Sequence, residues 1–229
     1  MKQALIITMD GPSGSGKSTV ARGLARKLGF LYLDTGAMYR AVGLKALRSK
    51  VDLADRAALA RLAERARIGF KGRGGKVRVF LDGADVTRAI RRPEVSEAAS
   101  RVAVVPGVRR ALVKQQQMIG RSGRIVAEGR DTGTVVFPHA PLKFFVTASL
   151  AERSRRRYEE HKSAGHRMSL DRVMREVHRR DRRDRSRKVA PLKEAPGAIR
   201  IDNTRLQSGQ VLDTLIAYVH RSKTHVSPS

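Results

Sequence analysis

Continuous apolar runs recur along the chain and predict strands that are buried on both faces. They occupy Ala4–Met9, Phe30–Leu33, Arg124–Ala127, Leu142–Thr147 and Ala198–Ile201. Short uninterrupted runs of this kind are typical of parallel strands covered by helices on either side. We therefore predict a parallel sheet with five buried strands.

Between these runs, apolar residues recur every three or four positions, which predicts amphipathic helices. The first predicted helix has Val20, Leu24 and Leu28 on one face and ends at Gly29. The predicted helices cover 17–28, 35–48, 55–66, 93–104, 106–119, 150–164, 169–181 and 208–221. Strands that alternate with helices indicate an open parallel α/β sheet.

A strictly alternating pattern interrupts this arrangement. Apolar and polar residues alternate over Arg67–Lys71, Lys76–Leu81 and Ala84–Thr87. These segments are joined by GRGG at 72–75 and by Asp82-Gly83, which are hairpin signals. We predict a small antiparallel meander set into the α/β fold.

The composition indicates a folded protein that binds polyanions. With 229 residues and a hydrophobic fraction of 41%, the chain is long enough for one core with insertions. Its formal net charge is +27, which predicts contact with nucleotides, nucleic acids or acidic membrane surfaces. The same charge predicts salt-sensitive, non-specific binding to nucleic acids, whatever the function of the protein.

Several classes of protein are excluded by what the chain lacks. It contains no cysteine, which excludes disulfides, zinc thiolate sites and thiol catalysis. Its six histidines form no i,i+4 pair, so we expect no dedicated metal cage. The first apolar run is too short for a secretion signal, and no run reaches about 18 apolar residues. We therefore expect a cytoplasmic protein without a membrane span.

A phosphate-binding loop is predicted at the end of the first strand. Residues 11–18 read GPSGSGKS, which matches the pattern G-x-x-x-x-G-K-[ST]. The glycines let backbone N–H groups point at phosphates, and the following helix adds its positive N-terminal end. Lys17 would reach the β- and γ-phosphates, and Ser18 is the expected Mg²⁺ ligand. We predict binding of a nucleoside triphosphate with Mg²⁺.

The loop alone does not separate kinases, GTPases, helicases and motors. The chain lacks the N/T-K-x-D segment of GTPases, and its strand RIVAEGRD at 124–131 ends differently from the acidic strand usual in helicases. A small-molecule kinase needs only the loop, an acceptor pocket and a lid that excludes water. We therefore favour a kinase.

The distribution of arginines suggests which kind of group accepts the phosphoryl. A hydroxyl acceptor calls for a catalytic base, whereas a phosphate acceptor is already an anion near neutral pH. Arginine grips phosphate bidentately and stays charged. Arg40 and Arg130 follow predicted parallel strands, at the edge where ligands sit in open α/β sheets. We predict a phosphate acceptor.

The segment RRDRRDRSRKVAPL at 179–192 can be interpreted in two ways, as a solvated basic helix or as one wall of an active site. On a helix, Arg180, Asp184 and Arg187 share one face because of their i,i+4 and i,i+3 spacing. We expect Asp184 to hold the two guanidinium groups and to accept a hydrogen bond from a sugar hydroxyl.

Five motifs in order resemble those of the bacterial cytidylate kinase family, which are nucleoside monophosphate kinases. The motifs are GPSGSGKST (11–19), LDTGAMYRA (33–41), SEAASRVAVVPGVRRAL (96–112), EGRDTGTVVFPHA (128–140) and RRDRRDRSRKVAPL (179–192). They extend from near the start of the chain into its last third. Five ordered motifs are more specific than the loop alone.

The resemblance implies transfer of the ATP γ-phosphoryl group to CMP or dCMP in pyrimidine nucleotide metabolism. It implies an α/β fold of the P-loop NTPase type, with an open parallel five-stranded sheet flanked by helices. The core would comprise 1–34, 103–150 and 188–229, with a monophosphate-binding insertion at 35–102 that contains the meander and a helical lid at 151–187. It also implies a monomer that needs Mg²⁺ and has no specific nucleic-acid partner.

The resemblance further implies the residues of the site. Lys17 and Arg130 would be catalytic. ATP contacts would come from Gly11, Pro12, Ser13, Gly14, Ser15, Gly16, Lys17, Ser18 and Thr19. CMP contacts would come from Thr35, Arg40, Ser100, Arg109, Arg130, Asp131, Arg180, Asp184 and Arg187.

These implied contacts predict a preference for cytosine. Asp131 can accept from the N4 amino group, while Arg187 and Ser100 can donate to O2 and N3. Uracil reverses part of that pattern, so CMP should be preferred over UMP. Other roles stay open for three residues: Arg109 on the surface, Ser100 in helix packing and Asp131 as a structural partner of Arg130.

Two alternative functions remain at this stage. The first is another P-loop kinase whose acceptor is UMP, dTMP or a shikimate-like hydroxyl acid. The second is an RNA- or DNA-binding protein with a secondary ATP site, although an aromatic fraction of 4% does not favour a base-stacking platform.

Overall fold

The structure is a computed structural model that describes residues 5–72, 77–163, 165 and 167–224. Its strands are β1 (Ile6–Asp10), β2 (Leu31–Asp34), β3 (Ile68–Lys71), β4 (Arg78–Leu81), β5 (Ala84–Asp85), β6 (Ile125–Gly129), β7 (Leu142–Thr147) and β8 (Ile199–Asp202). Among the described residues, a five-stranded sheet has the order β2-β6-β1-β7-β8. All its pairings are parallel, with Asp10 opposite Gly129 at the carboxyl edge. The predicted parallel sheet is confirmed.

The helices follow the predicted amphipathic segments closely. They are α1 (Lys17–Leu28), α2 (Thr35–Arg48), α3 (Arg56–Arg65), α4 (Pro93–Val102), α5 (Pro106–Gly120), α6 (Leu150–Ser163), α7 (Leu170–Ser186) and α8 (Ser208–Thr224). The predicted end of α7 at residue 181 was wrong. Asp181 and Asp184 continue the buried face begun by Val173 and Val177, so the helix extends to Ser186.

Two apolar clusters cover the faces of the sheet. On one face, α1 and α8 pack through Leu24 and Leu215 against β1 and β7. On the other face, α2 and α5 pack through Met38 and Leu112 against β2 and β6. Leu59 of α3 belongs to the second cluster. The core of the predicted insertion is therefore continuous with this side of the sheet.

The predicted antiparallel meander is confirmed as the sheet β3-β4-β5. Its third strand is shorter than expected, because β5 spans only Ala84–Asp85. Most of the predicted turn at 72–75 lies outside the described residues. Val79 and Leu81 of β4 point into the same apolar cluster as α2, which anchors the meander to the sheet.

The carboxyl edge of the parallel sheet gathers the segments that carry the predicted motifs. The phosphate-binding loop follows β1, α2 begins directly after β2, and a π-helical turn at Thr132–Val136 follows β6. Gly11 opens the loop with φ +155°, and a Cβ there would lie 2.0 Å from the carbonyl oxygen of Val146, so only glycine fits. In the described part of the chain, no helix has both the length and the apolar character that crossing a membrane requires.

Candidate active site

One cleft brings together the residues predicted to contact ATP and those predicted to contact CMP. It encloses about 1040 Å³ of space, part of it open to solvent. Among the residues that the sequence predicts to be part of the site, those that line this cleft are Ser13, Gly14, Gly16, Lys17, Ser18, Thr19, Thr35, Arg40, Ser100, Arg109, Arg130, Asp131, Arg180, Asp184 and Arg187. Gly11, Pro12 and Ser15 belong to the same loop but do not line the cleft.

Lys17 is held beneath the loop. Its Nζ donates to the carbonyl oxygen of Pro12 at 3.0 Å, and the side chain is buried. Burial lowers the pKa of Lys17 to about 7, and repulsion from Arg130 adds to the effect. The charges of Glu128 and Asp184 oppose this shift only in part, and a phosphate group would stabilise the ammonium form further.

Ser18 and Glu128 form a candidate metal site at the start of α1. The Ser18 hydroxyl donates to Oε1 of Glu128 at 2.6 Å, and the hydroxyl of Tyr32 donates to Oε2 at 2.5 Å. Hydroxyl and carboxylate oxygens are the donors that Mg²⁺ prefers, and its remaining positions usually go to phosphate and water. These residues therefore fit the ion. No group of three or more potential metal ligands among His, Asp and Glu lies within the described residues.

Glu128 was missed by the sequence reasoning. The signal was present, because an acidic residue ends the otherwise apolar run of β6. Its backbone carbonyl also accepts from the hydroxyl of Thr35 at 2.7 Å. Glu128 thus contacts both the start of α1, through Ser18, and the start of α2, through Thr35.

Asp10 fixes the backbone behind the cleft. Its carboxylate accepts from the backbone N–H groups of Thr132 at 2.9 Å and Gly133 at 2.7 Å. Burial raises the pKa of Asp10 to about 6, although these two hydrogen bonds oppose the rise. The contacts hold the turn after β6 against the end of β1.

Arg40 is oriented by an acidic residue that also caps its helix. Asp34 accepts from the backbone N–H of Ala37 at 2.8 Å and pairs with Nη2 of Arg40 at 2.7 Å. The capping contact explains why α2 begins at Thr35. The ion pair keeps the guanidinium group in the cleft beside Thr35.

The next two residues after β6 each pair with a different helix. Nε of Arg130 donates to Oδ2 of Asp184 on α7 at 2.9 Å. Asp131 forms a buried ion pair with Arg109 of α5. Asp131 is therefore a partner of Arg109 rather than of Arg130, and Arg109 is buried rather than on the surface.

The expected bridge from Asp184 to both Arg180 and Arg187 is confirmed only for Arg187, whose Nη1 lies 3.9 Å from the carboxylate. The closer partner of Asp184 is Arg130, which the prediction did not include. Arg187 lies beyond the end of α7 in extended backbone and donates to the carbonyl oxygen of Ala190 at 2.9 Å. Arg180 forms no hydrogen bond or salt bridge with the described residues.

Several guanidinium groups that line this cleft have a donor without a partner, although each of them also forms an ion pair. The buried Nε groups of Arg40, Arg109 and Arg187 have no hydrogen-bond partner in the described part of the chain. Burial, together with repulsion from Arg130, lowers the pKa of Arg180 to about 10. Buried donors without partners are costly, so the cleft is built to receive an anion.

Helices α6 and α7, which form most of the predicted lid, contribute further contacts that the sequence reasoning did not assign. Arg153 of α6 donates to the carbonyl oxygen of Ser13 at 3.0 Å and to Oδ2 of Asp181 at 2.5 Å. Oδ1 of Asp181 accepts from the backbone N–H of Ser13 at 3.4 Å. The two helices are thus tied to the phosphate-binding loop. Ser100 accepts a hydrogen bond from Arg183 of α7.

The fold and the cleft define a class of protein. A parallel five-stranded sheet carries a phosphate-binding loop after its central strand, and an arginine-lined pocket faces that loop across the carboxyl edge. This is the arrangement of a P-loop nucleotide-binding protein with a second site for an anion.

Comparison with known proteins identifies the family within this class. The family model for cytidylate kinase matches residues 7–221. A cytidylate kinase of Pelotomaculum thermopropionicum is 50% identical over 214 residues, which are 93% of this chain and 95% of that protein. The cytidylate kinase of Pasteurella multocida is 45% identical over 221 residues, which are 96% and 97% of the two chains. The chain belongs to the cytidylate kinase family, as the motifs predicted.

A solved structure shares the fold. The crystal structure of an uncharacterized protein from Eubacterium ventriosum matches with a TM-score of 0.53 at 13% identity, covering 96% of this chain and 99% of that one. At this identity the match concerns the fold alone.

Proposed function

We propose that this protein is an ATP-dependent kinase that transfers the γ-phosphoryl group of ATP to CMP or dCMP, giving ADP and CDP or dCDP. Membership of the cytidylate kinase family supports this reaction. The observation that carries it is the group of unpaired guanidinium donors on Arg40, Arg109 and Arg187 in the cleft that faces the phosphate-binding loop.

The ATP end of the proposed site is the loop with the start of α1. Backbone N–H groups of residues 13–19 and the N-terminus of α1 would hold the phosphates. Lys17 would leave the Pro12 carbonyl and bind the β- and γ-phosphates. Ser18 and Glu128 would hold Mg²⁺, which neutralises phosphate charge when it is bound.

The acceptor end is the pocket beyond the loop. Arg40 and Arg130 would hold the phosphate of CMP, with Thr35 beside them. An oxygen of that phosphate attacks the γ-phosphorus, the bond to the β-phosphate oxygen breaks, and ADP leaves with the bonding electrons. Because the attacking oxygen is already an anion, no general base is required. Catalysis then consists of in-line positioning and charge stabilisation.

Base and sugar recognition would fall to the residues around the far wall of the pocket. Asp131, oriented by Arg109, would accept from the cytosine N4 amino group. Arg187 and Ser100 would donate to O2 and N3. Arg180 and Asp184 would contact the ribose, and dCMP remains acceptable if neither depends on the 2′-hydroxyl.

The division into a core, an insertion at 35–102 and a lid at 151–187 is part of the proposal. Contacts of α6 and α7 with Ser13 support a lid that closes over ATP. Closure would exclude water from the transferring phosphoryl group. A cytoplasmic location and a monomeric state remain predictions.

A substrate panel tests the proposal. ADP release would be followed with ATP and Mg²⁺ in the presence of CMP, dCMP, UMP, AMP, dTMP or shikimate. We expect stimulation by CMP and dCMP, weaker stimulation by UMP and none by shikimate. No stimulation by CMP would contradict the proposed function, and strong stimulation by another acceptor would replace it.

A further inference from the structure

Arg183 joins the lid helix α7 to helix α4. Its Nη1 donates to Oγ of Ser100, and its Nη2 lies 3.5 Å from Oε1 of Glu97, which is nearly one turn earlier on α4. The Glu97 side chain is 57% exposed, so water screens that contact and weakens it. Ser100 is therefore the principal partner of Arg183.

Ser100 lines the cleft, whereas Arg183 does not. The guanidinium group contacts the serine hydroxyl without itself belonging to the lining of the pocket. Any influence of Arg183 on a bound base would therefore pass through the Ser100 hydroxyl. This placement makes Arg183 a positioning residue rather than a catalytic one.

The contact fixes how Ser100 forms hydrogen bonds. A serine hydroxyl has one hydrogen to donate and two lone pairs that accept. A guanidinium group only donates and stays protonated, so the oxygen of Ser100 must accept from Arg183. The hydroxyl hydrogen remains free to point into the cleft. Hydrogen bonds in series polarise one another, which makes Ser100 a better donor and a poorer acceptor.

Cytosine and uracil differ at the atoms that such a donor would meet. Cytosine presents an unprotonated N3 that accepts a hydrogen bond, whereas uracil carries a hydrogen on N3 and donates. A Ser100 held as a donor matches the first base and opposes the second. Without Arg183, the hydroxyl could rotate and accept from uracil.

We propose that Arg183 sets Ser100 as a hydrogen-bond donor and thereby favours CMP over UMP, an inference that rests on the proposed function. The role is one of specificity, because the phosphate and ribose contacts of the two nucleotides are the same. Specificity of this kind arises when a buried polar group would be left unmatched by the wrong substrate.

The test compares CMP with UMP in the variants Arg183→Met and Arg183→Lys. Methionine keeps much of the side-chain length but removes the donor, whereas lysine keeps one donor and the charge. Both kcat/KM with ATP and the dissociation constants by calorimetry would be measured for each nucleotide. We expect Arg183→Met to lower the CMP to UMP ratio about tenfold, the loss of a modest hydrogen bond. Arg183→Lys should lower the CMP to UMP ratio less than Arg183→Met does.

Two further variants separate this role from a general effect on the lid. Glu97→Gln removes the weaker contact of Arg183 and should leave the ratio close to that of the unsubstituted protein. In a Ser100→Ala background, Arg183→Met should have no additional effect on the ratio, because the two residues act as one unit. An additional effect there would show that Arg183 acts by another route and would overturn the inference.

The two proposals fail in different ways. If the unsubstituted protein does not bind or phosphorylate CMP, the proposed function itself is wrong. If it does, and Arg183→Met lowers activity with CMP and UMP by the same factor, Arg183 serves only lid structure and the specificity inference is wrong.

Discussion

Nε of Arg130 donates to Oδ2 of Asp184 over 2.9 Å, which joins the end of the sheet strand β6 to helix α7. Although burial alone would lower the pKa of Arg130, the ion pair with Asp184 raises it above its ordinary value. Asp184 has a lowered pKa in turn, because Arg130 and Arg180 outweigh the effect of its burial. The guanidinium group is therefore fixed and permanently charged where the acceptor phosphate is proposed to bind.

Replacing Arg130 should therefore reduce turnover severely. We expect Arg130→Ala to lower kcat/KM for CMP by about 10²–10³-fold, as for other preorganised donors to a transition state. Arg182→Ala, at an exposed position of α7, is the matched control. Normal turnover of CMP by Arg130→Ala, measured by ADP release, would make the acceptor assignment wrong.

Glu128 should govern the metal requirement. Glu128→Gln retains the shape of the side chain but removes the charge that faces Ser18. We expect activity to fall by about 10²-fold and the Mg²⁺ concentration for half-maximal activity to rise. The surface variant Glu159→Gln serves as the control. Titration with Mg²⁺ at saturating ATP measures both the activity and the Mg²⁺ requirement of each variant. An unchanged Mg²⁺ dependence in Glu128→Gln would argue against the metal site.

The depressed pKa of Lys17 predicts how stability depends on pH. In the folded, ligand-free protein its pKa is about 7, against 10.5 for an ordinary lysine. Between these values the unfolded chain binds more protons, so the free energy of unfolding should rise with pH by up to about 1.4 kcal/mol per unit. Lys17→Met lacks this dependence. Urea unfolding of both proteins from pH 7 to pH 10 measures it, and parallel curves would contradict the prediction.

The buried pair of Arg153 and Asp181 should matter for both stability and ATP binding. Both side chains are buried, and both contact the backbone of Ser13. We expect Asp181→Ala to cost about 3–5 kcal/mol of unfolding free energy, since it leaves Arg153 buried without its partner. The KM for ATP should rise as well. Asp171→Ala, exposed in the first turn of the same helix, should cost less than about 1 kcal/mol in thermal unfolding and should leave the KM for ATP unchanged in kinetic assays.

The outer face of α7 should account for part of the non-specific binding to nucleic acids. Arg175, Arg179, Arg182 and Arg185 are exposed there and form no ion pair with the residues that the structure describes. Changing all four to glutamine should reduce the salt dependence of single-stranded DNA binding, measured as log K against log[salt], by about 3. Activity with CMP should not change. If four substitutions elsewhere (Arg26, Lys27, Lys50 and Arg121) reduced the slope equally, charge alone and not this face would be responsible.

Features that depend on neighbouring residues could be predicted from the sequence. The phosphate-binding loop is contiguous, so its glycines, Lys17 and Ser18 specify its geometry locally. Apolar runs and helical periodicity predicted the parallel sheet, the existence of the meander and the bounds of α2, although the third strand of the meander is shorter than predicted. The end of α7 was predicted less well, since its buried acidic residues resemble solvated ones until their partners are known.

Only the tertiary structure decided which charged groups meet. Ser18 and Glu128 are 110 residues apart, Arg183 and Ser100 are 83 apart, and Arg130 and Asp184 are 54 apart. The sequence determined that arginines and aspartates would surround a phosphate-binding cleft. It did not determine their pairing, because an arginine can donate to any carboxylate that lies close enough. The folded backbone alone decides which carboxylates do.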